Sequence, residues 1–433
     1  MTNAPAATYR RLKYLATIND EILGEDTASD FELRYIDIGD LDSYAGVTSM
    51  STCRFGDAPS RARRRVRHGD VIISTVRTYL QAIAAVEDPP DNLIVSTGFA
   101  VIRGRTKDLD RGFCKYALRE PRFLSEVEIR SYGVSYPAIP ASEIAGILVS
   151  APPVCEQRAI AAYLDRETAG IDAMIAAKQR LLDLLAEKRR AVVTRAVTRG
   201  ADKSLRLRAS GIAWAGEIPV HWERWKVSHF ARVGNGSTPK RDNRAYWVHG
   251  TIPWLNSSVV NQDETSSAEQ FVTETAFLEC SLPLVKSGSI LVALTGQGKT
   301  RGRATLLHFE ATINQHIAYV TPKPELVHSP YLRWAFFAAY GFLRSLSDDA
   351  GGTKGALTCE EISALHFPLP PLHEQRTIVN HIASETAKLD ALGAATQDTI
   401  ALLKERRASL IAAAVAGEID VGARDAAGVS GHH

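Results

Sequence analysis

One stretch of this chain occurs twice, and the distance between its copies constrains everything else. The first copy begins Pro152-Pro153-Val154-Cys155-Glu156-Gln157-Arg158 and continues through Ile160, Leu164, Glu167-Thr168 and Ile171-Asp172 to Lys188-Arg189-Arg190. The second begins Pro370-Pro371-Leu372-His373-Glu374-Gln375-Arg376 and repeats Ile378, Ile382, Glu385-Thr386, Leu389-Asp390 and Arg406-Arg407. The offset is 374 − 156 = 218 residues, without a gap. A period of about half the chain means two copies of one unit.

Each copy reads as a long helix. Proline suits a first helical turn, where its missing N–H goes unused, and Glu156 there faces the positive end of the helix dipole. Apolar residues then follow a heptad, with Leu164, Ile171, Leu185 and Val192 in one position and Ile160, Met174 and Leu181 in the other. In the second copy Ile382, Leu389, Leu403 and Leu410 lie beside Ile378 and Leu392. Glu167, Lys178 and Lys188 interrupt the seam, and Gly200 and Gly417 mark the ends. About 47 residues at 1.5 Å each give a rod of roughly 70 Å. One apolar seam cannot bury itself, so the two rods are expected to pack on each other.

The segments in front of the rods read as globular domains. In the first, Tyr35-Ile36-Asp37-Ile38, residues 71–76, Leu93-Ile94-Val95-Ser96 and Phe99-Ala100-Val101-Ile102 are expected strands. A helix is expected through Lys115-Tyr116-Ala117-Leu118, and residues 144–149 are expected to lead back into a last strand. Carrying the repeat backwards aligns Glu143-Ile144 with Glu361-Ile362, Tyr116 with Trp334, Gly69 with Gly288 at an offset of 219, and Arg11-Leu12-Lys13 with Arg224-Trp225-Lys226 at 213. The expected division is a domain over 1–150, a rod over 151–200, a second domain over 201–368, a second rod over 369–418 and a tail over 419–433. The expected fold class is α/β (α+β): two similar globular domains separated by two long antiparallel helices packed as a coiled coil.

Lys+Arg 51 against Asp+Glu 49 leaves a net charge of only +2, so a polyanion-binding surface would have to come from local clustering. Cys53, Cys114, Cys155, Cys280 and Cys359 form no Cys-x-x-Cys pair and read as cytosolic thiols. No apolar run approaches the ~18–20 residues of a bilayer span, so a cytoplasmic location is expected, with no membrane partner.

Catalytic patterns fail on inspection. Leu294-Thr295-Gly296-Gln297-Gly298-Lys299-Thr300 resembles a phosphate-binding loop, but Ala293 stands where its first glycine belongs and no helix pattern follows. Asp88-Pro89-Pro90-Asp91 lacks the aromatic residue that stacks on a flipped base. His221, His229, His249, His308, His316 and His373 have no ligand spacing.

Basic clusters carry more information. Arg61, Arg63, Arg64, Arg65 and Arg67 precede a Gly69-Asp70 turn, and Arg77 follows the next expected strand. In the second domain Lys240, Arg241 and Arg244 surround Tyr246-Trp247, while Lys299, Arg301 and Arg303 sit among small residues. Guanidinium forks match phosphate oxygens and the O6/N7 edge of guanine, so all these are candidate DNA contacts.

The tandem Pro-Pro-x-x-Glu-Gln-Arg rods, with Gly211-Ile212-Ala213-Trp214, Gly216-Glu217-Ile218-Pro219 and His221-Trp222 leading into the second domain, resemble the specificity subunit of type I restriction-modification systems. The resemblance covers all but about the first eight and last fifteen residues, although the first domain lacks the tryptophan-containing lead-in. It implies two target recognition domains, each reading half of a split asymmetric site on double-stranded DNA, with the rods setting the spacing. It also implies two methylation subunits that supply S-adenosylmethionine binding, and restriction subunits, where present, that use ATP and Mg. This chain would bind no cofactor and perform no chemistry. Glu156, Gln157, Arg158, Glu374, Gln375 and Arg376 are the expected docking residues. A coiled-coil scaffold for proteins and a stand-alone DNA-modifying enzyme stay open as alternatives.

Overall fold

The computed structural model describes residues 8–42, 46–296, 299–348, 355–419 and 421. Gln297 and Gly298 of the glycine-rich loop, and the expected tail apart from Ile419 and Val421, lie outside the described residues. The chain forms two compact units, residues 1–179 with 397–433, and residues 180–396. Each unit therefore holds one globular domain with half of each rod.

The rods span Val154–Arg199 and Leu372–Val415. The first ends at Gly200, whose φ of +78° glycine adopts without strain. In the first unit Asp172 of one rod meets Arg407 of the other at 2.9 Å. In the second unit Arg189 meets Asp390 at 3.3 Å. Asp172 and Asp390 are repeat equivalents, as are Arg189 and Arg407, so both halves show the same antiparallel pairing.

The seam departs from the expected heptad. Met174 and its equivalent Leu392 are both 48% exposed, while Ile171 and Ile175 are buried. At the far end Val193 is buried in place of Val192. An α-helix turns every 3.6 residues, so its buried stripe drifts off a strict 3.5-residue repeat. Between residues 176 and 192 no side chain is fully buried. Burial concentrates at the rod ends, where the globular domains supply the partner surface.

In the first unit Ile160 and Leu164 join Leu12, Phe113, Phe123 and Val149, with Ile411 and Ala414 from the second rod, in one core. In the second unit Val193, Val197, Trp222, Tyr331, Ile378 and Ile382 form the matching cluster. Each buried Val, Leu, Ile or Phe among them contributes about 1.5–3 kcal/mol by leaving water.

The two domains share one topology. In the first, strands Ala16–Ile18, Phe99–Gly104, Val71–Ser74 and Ile83–Ala85 lie side by side, all antiparallel. In the second, Ala231–Asn235, Ile317–Pro322, Ile290–Ala293 and Ala304–Leu307 take the same order, and Glu264–Thr265 extends the edge. Leu93–Ser96 pairs in parallel with Glu32–Ile36 as Thr312–Ile313 does with Ile252–Leu255. In both domains this parallel strand leads directly into the central strand of the larger antiparallel sheet.

Three local expectations change. The strand expected over 35–38 is Glu32–Ile36, because Asp37 caps a short helical turn with its side chain. Ile144 lies in the helix Ala141–Gly146, and the closing strand is Leu148–Ser150. That strand pairs with Tyr9–Arg11 as His366–Leu369 pairs with Glu223–Lys226. Arg11 opposes Leu148 and Lys226 opposes His366, so Arg11 matches Lys226 at an offset of 215, and the 213 alignment is wrong by two residues. Among the described residues no helix is long and apolar enough to cross a membrane.

Candidate nucleic-acid interface

Strand Ala62–Arg65 lies at the outer edge of its sheet, pairing with Leu93–Ser96 and bridged once to Ile22. Successive side chains of a strand point to opposite faces, so neighbouring arginines cannot share one surface. Arg61 pairs with Asp37 at 2.5 Å and Arg67 with Glu21 at 2.7 Å. Arg63 lies over the Phe55 ring at 4.7 Å. Arg64 is turned inward, its pKa lowered by burial. Arg65 remains exposed. The following Gly69-Asp70 turn is fixed by Arg103, which reaches the buried Asp70 carboxylate through Nε and Nη2 at 2.8 and 2.7 Å.

Arg77 occupies the left-handed region at φ +50°, as does Gln81 at +49°, on either side of the turn Thr78–Leu80. Strained positions that persist mark surfaces whose shape is held for a purpose. The turn is tied to the 129–138 segment by a Thr78 to Ser131 hydrogen bond of 2.7 Å, and Arg77 lies over Tyr136 at 5.1 Å. Around it Tyr79, Tyr132, Val134 and Tyr136 are exposed. Exposed aromatic and apolar groups next to an arginine can stack on bases or wedge between them.

The second domain holds its arginine differently. Arg241 lies 4.1 Å from the Trp247 ring centre and 4.7 Å from that of Trp254, with Nη1 donating to Gln270 Oε1 at 3.0 Å. The two indole N–H groups donate to the carbonyls of Lys240 and Ser237, at 3.0 and 3.1 Å, and so tie down the loop that carries it. Gly236 at the loop's start cannot be replaced, since a Cβ would lie 1.8 Å from Ile313 O. Lys240 and Arg244 are exposed beside it.

Along the glycine-rich loop, Lys299 is exposed and its carbonyl accepts from Tyr340 Oη at 2.9 Å. Arg303 donates to Asn261 Oδ1 at 3.2 Å. Arg301 is a correction: it is 7% exposed and donates to Gly355 O at 2.6 Å, so it braces the loop from inside rather than facing a ligand. The chain then enters a strand, Ala304–Leu307, where a nucleotide-phosphate loop would open a helix.

The expected docking residues separate into two kinds. Gln157 and Gln375 are fully buried, which removes them from any docking surface. Gln157 Nε2 donates to the carbonyls of Asp108 and Pro152, at 3.0 and 2.8 Å, while its Oε1 accepts from Asp110 N at 2.8 Å. Gln375 does the same with Leu326, Pro370 and His328, at 2.9, 2.9 and 2.7 Å. Every partner is offset by 218, so one bracket fastens each domain to its rod. Glu374 accepts from Trp222 Nε1 at 2.9 Å and meets His221 at 2.8 Å. Arg158 reaches Asp110 at 3.3 Å. Glu156 is half-buried and Arg376 exposed.

A cluster that the sequence did not reveal surrounds Asp263. Burial would push its carboxyl up, yet contact with Arg333 and with Arg189, the latter at 3.0 Å, holds it below the usual range. Arg333 is itself buried and stacked 3.8 Å from the Trp334 ring centre, its pKa lowered by that burial.

A family model for the type I restriction modification DNA specificity domain matches residues 219–399. The type I restriction enzyme MjaIX specificity subunit of Methanocaldococcus jannaschii is 32% identical over 167 residues, 38% of this chain and 37% of that protein. The EcoR124I/EcoR124II specificity subunit of Escherichia coli is 24% identical over 164 residues, 38% of this chain and 40% of that protein. The matches thus span about two fifths of the length of these curated relatives. A chain from a solved structure of a type I restriction-modification system aligns over 96% of this chain and 99% of its own, at 23% identity and a TM-score of 0.65, which shows the shared fold. Residues 219–399 thus match a type I restriction modification DNA specificity domain, and the curated relatives that the chain resembles are type I specificity subunits.

Proposed function

We propose that this chain is the non-catalytic, sequence-reading subunit of a type I complex, in which each globular domain reads one half of a bipartite, asymmetric site on double-stranded DNA. The observation that carries this reading is the repeated bracket: one scaffold, fastened identically to each rod, presents different arginine-bearing loops in its two copies. A scaffold held constant while its loops diverge suits two readers of different sequences. Arg65, Arg77, Lys240, Arg241, Arg244, Lys299 and Arg303 are exposed or half-buried and able to reach a duplex. Phosphate contacts would position the domain and base-edge contacts specify the sequence. The rods, at about 1.5 Å per helical residue, would set the length of the spacer.

Exposed apolar side chains on the rod segments of each unit, Met174 and Leu402 in the first and Leu184 and Leu392 in the second, support the docking of two methylation subunits, in a complex that would work in the cytoplasm. Those subunits would supply S-adenosylmethionine and adenine methylation, and restriction subunits, where present, would use ATP and Mg. Mapping methylated adenines in the host genome tests the reading. An exchange of residues 210–368 for those of a relative is expected to replace one half-site and leave the other. Lengthening both rods equally should change only the spacer. Altered reading of both halves, or an unchanged spacer, would count against it.

A further inference from the structure

Where the first rod meets the second globular domain, the protein encloses a cavity of about 220 Å³. Its wall includes Arg190 from the rod, Lys299 and Arg303 from the glycine-rich loop, Phe337 and Tyr340 from the helix Ser329–Asp348, and Asp263. Water occupies about 30 Å³ per molecule in the liquid, so the space accommodates a phosphate group and several waters.

The charges around it do not balance. Asp263 is already taken by Arg189 and Arg333, and Arg189 also meets Asp390. Arg190 and Lys299 have no ion-pair partner among the described residues, and Arg303 bonds only the neutral Asn261. Five cations thus stand against three carboxylates, counting Glu264 beside Arg333, and three of the cations line one concavity. Arg333, with 4% of its side chain exposed and Nε lacking an acceptor, adds positive field from beneath. Like charges gathered this way repel one another unless an anion joins them. The protein nevertheless holds the loop that carries two of them, through the Tyr340 bond to the Lys299 carbonyl and the Arg303 bond to Asn261. Two guanidinium forks and an ammonium converging from two elements suit a polyoxyanion.

We propose that this cavity seats a backbone phosphate of the duplex, clamped by Arg190, Lys299 and Arg303, so that the rod itself contacts DNA. The proposal rests on the DNA-reading function above. The cavity lies beside an exposed loop of the reading domain, which favours a phosphate carried on an extended backbone over a free one. It is also particular to this unit, because the repeat equivalent of Arg190 is Ala408.

The test is fluorescence anisotropy of the full chain with a duplex of mixed sequence, over a salt series. Each neutralised phosphate contributes about 0.9 to the slope of log K against log salt. Arg190→Gln combined with Lys299→Gln and Arg303→Gln is expected to lower that slope by about one. Affinity should fall roughly five- to tenfold at 0.1 M salt, equally for all sequences. A charge-keeping variant, Lys299→Arg with Arg303→Lys, should retain the wild-type slope, which separates lost charge from lost folding. Wild-type slope and affinity in the triple glutamine variant would overturn the clamp while leaving the DNA-reading function intact. Absence of duplex binding by the wild-type chain would overturn both. A final arm adds inorganic phosphate alone: if millimolar phosphate raises the Tm of the wild type but not of the triple variant, while both bind duplex alike, the cavity is a small-anion site and the clamp is wrong.

Discussion

The junctions between domain and rod in the two units are nearly superposable in chemistry, whereas the hairpin turns a short distance away share almost nothing. At the junctions Gln157 and Gln375 make the same three hydrogen bonds, and Asp172–Arg407 repeats as Asp390–Arg189. Even the stacked cation is kept, with Lys115 over Tyr116 in one unit and Arg333 over Trp334 in the other. Between the paired strands of the hairpin, one copy presents Arg77, Tyr79 and Leu80 on a strained turn, and the other presents Lys299 and Arg303 around glycines. The junction must satisfy buried polar groups, which permits few solutions. An exposed turn must only close, so its side chains are free to follow a ligand.

If the bracket is the common element, removing it should harm both units alike. Gln157→Ala strands the part-buried Asp110 N–H and two carbonyls, and Gln375→Ala does the same at His328, Leu326 and Pro370. At about 1–3 kcal/mol for an unsatisfied buried group, partly relieved by water, each variant is expected to lose about 3 kcal/mol. For units of this size that lowers Tm by roughly 6–12 °C. Hydrogen exchange should localise the loss to the unit that carries the change. A large effect at one glutamine and none at the other would break the equivalence.

The same contrast explains what could be read beforehand. The rods were legible because a gapless repeat and a helical period reinforce each other over more than forty residues. The shared domain fold showed only at buried positions. Leu12, Leu15 and Ala16 match Val227, Phe230 and Ala231 at the offset of 215, all of them buried. The basic tripeptides used to align that region are a poor anchor, since exposed strand residues carry little constraint from packing. Polarity also misled at the site. Nothing in a glutamine's identity distinguishes a buried bracket from a docking residue, and Arg301 looks in sequence like its exposed neighbours. Arg190 gives no signal in the sequence, because a charged residue on a long helix is ordinarily a solvated one, and only the fold brings it to Lys299 and Arg303.

A smaller effect separates the two Asp–Arg clasps. Arg407 is mostly buried and meets Asp172 through two nitrogens, at 2.9 and 3.3 Å. Burial, then the neighbouring Arg407, lowers the pKa of Arg119, so this unit gathers two desolvated guanidiniums near one carboxylate. Asp172→Asn is expected to cost about 1–2 kcal/mol. Asp390→Asn should cost under about 0.5 kcal/mol, because Arg189 keeps Asp263. Urea denaturation of the two variants measures this difference. Equal costs would mean that Asp263 does not substitute for Asp390.

The smallest effect concerns Asp263 itself, which Arg189 and Arg333 share. Arg333 and Arg189 hold its pKa below the usual aspartate value despite burial, so its folded-state pKa is depressed relative to the unfolded chain. A depressed carboxyl contributes stability above the unfolded pKa of about 3.9, and that contribution disappears as pH falls through the lower folded value. Asp263→Asn should therefore lower the Tm of the second unit by about one degree at pH 5–7, with the gap from wild type closing below about pH 4. Comparing the variant with wild type cancels every other titrating group. The side chain is about half exposed, so solvent screening keeps the gap small, and added salt should shrink it further. A gap that persists unchanged to pH 3 would show that Asp263 acts through its hydrogen bonds and shape, not through its charge.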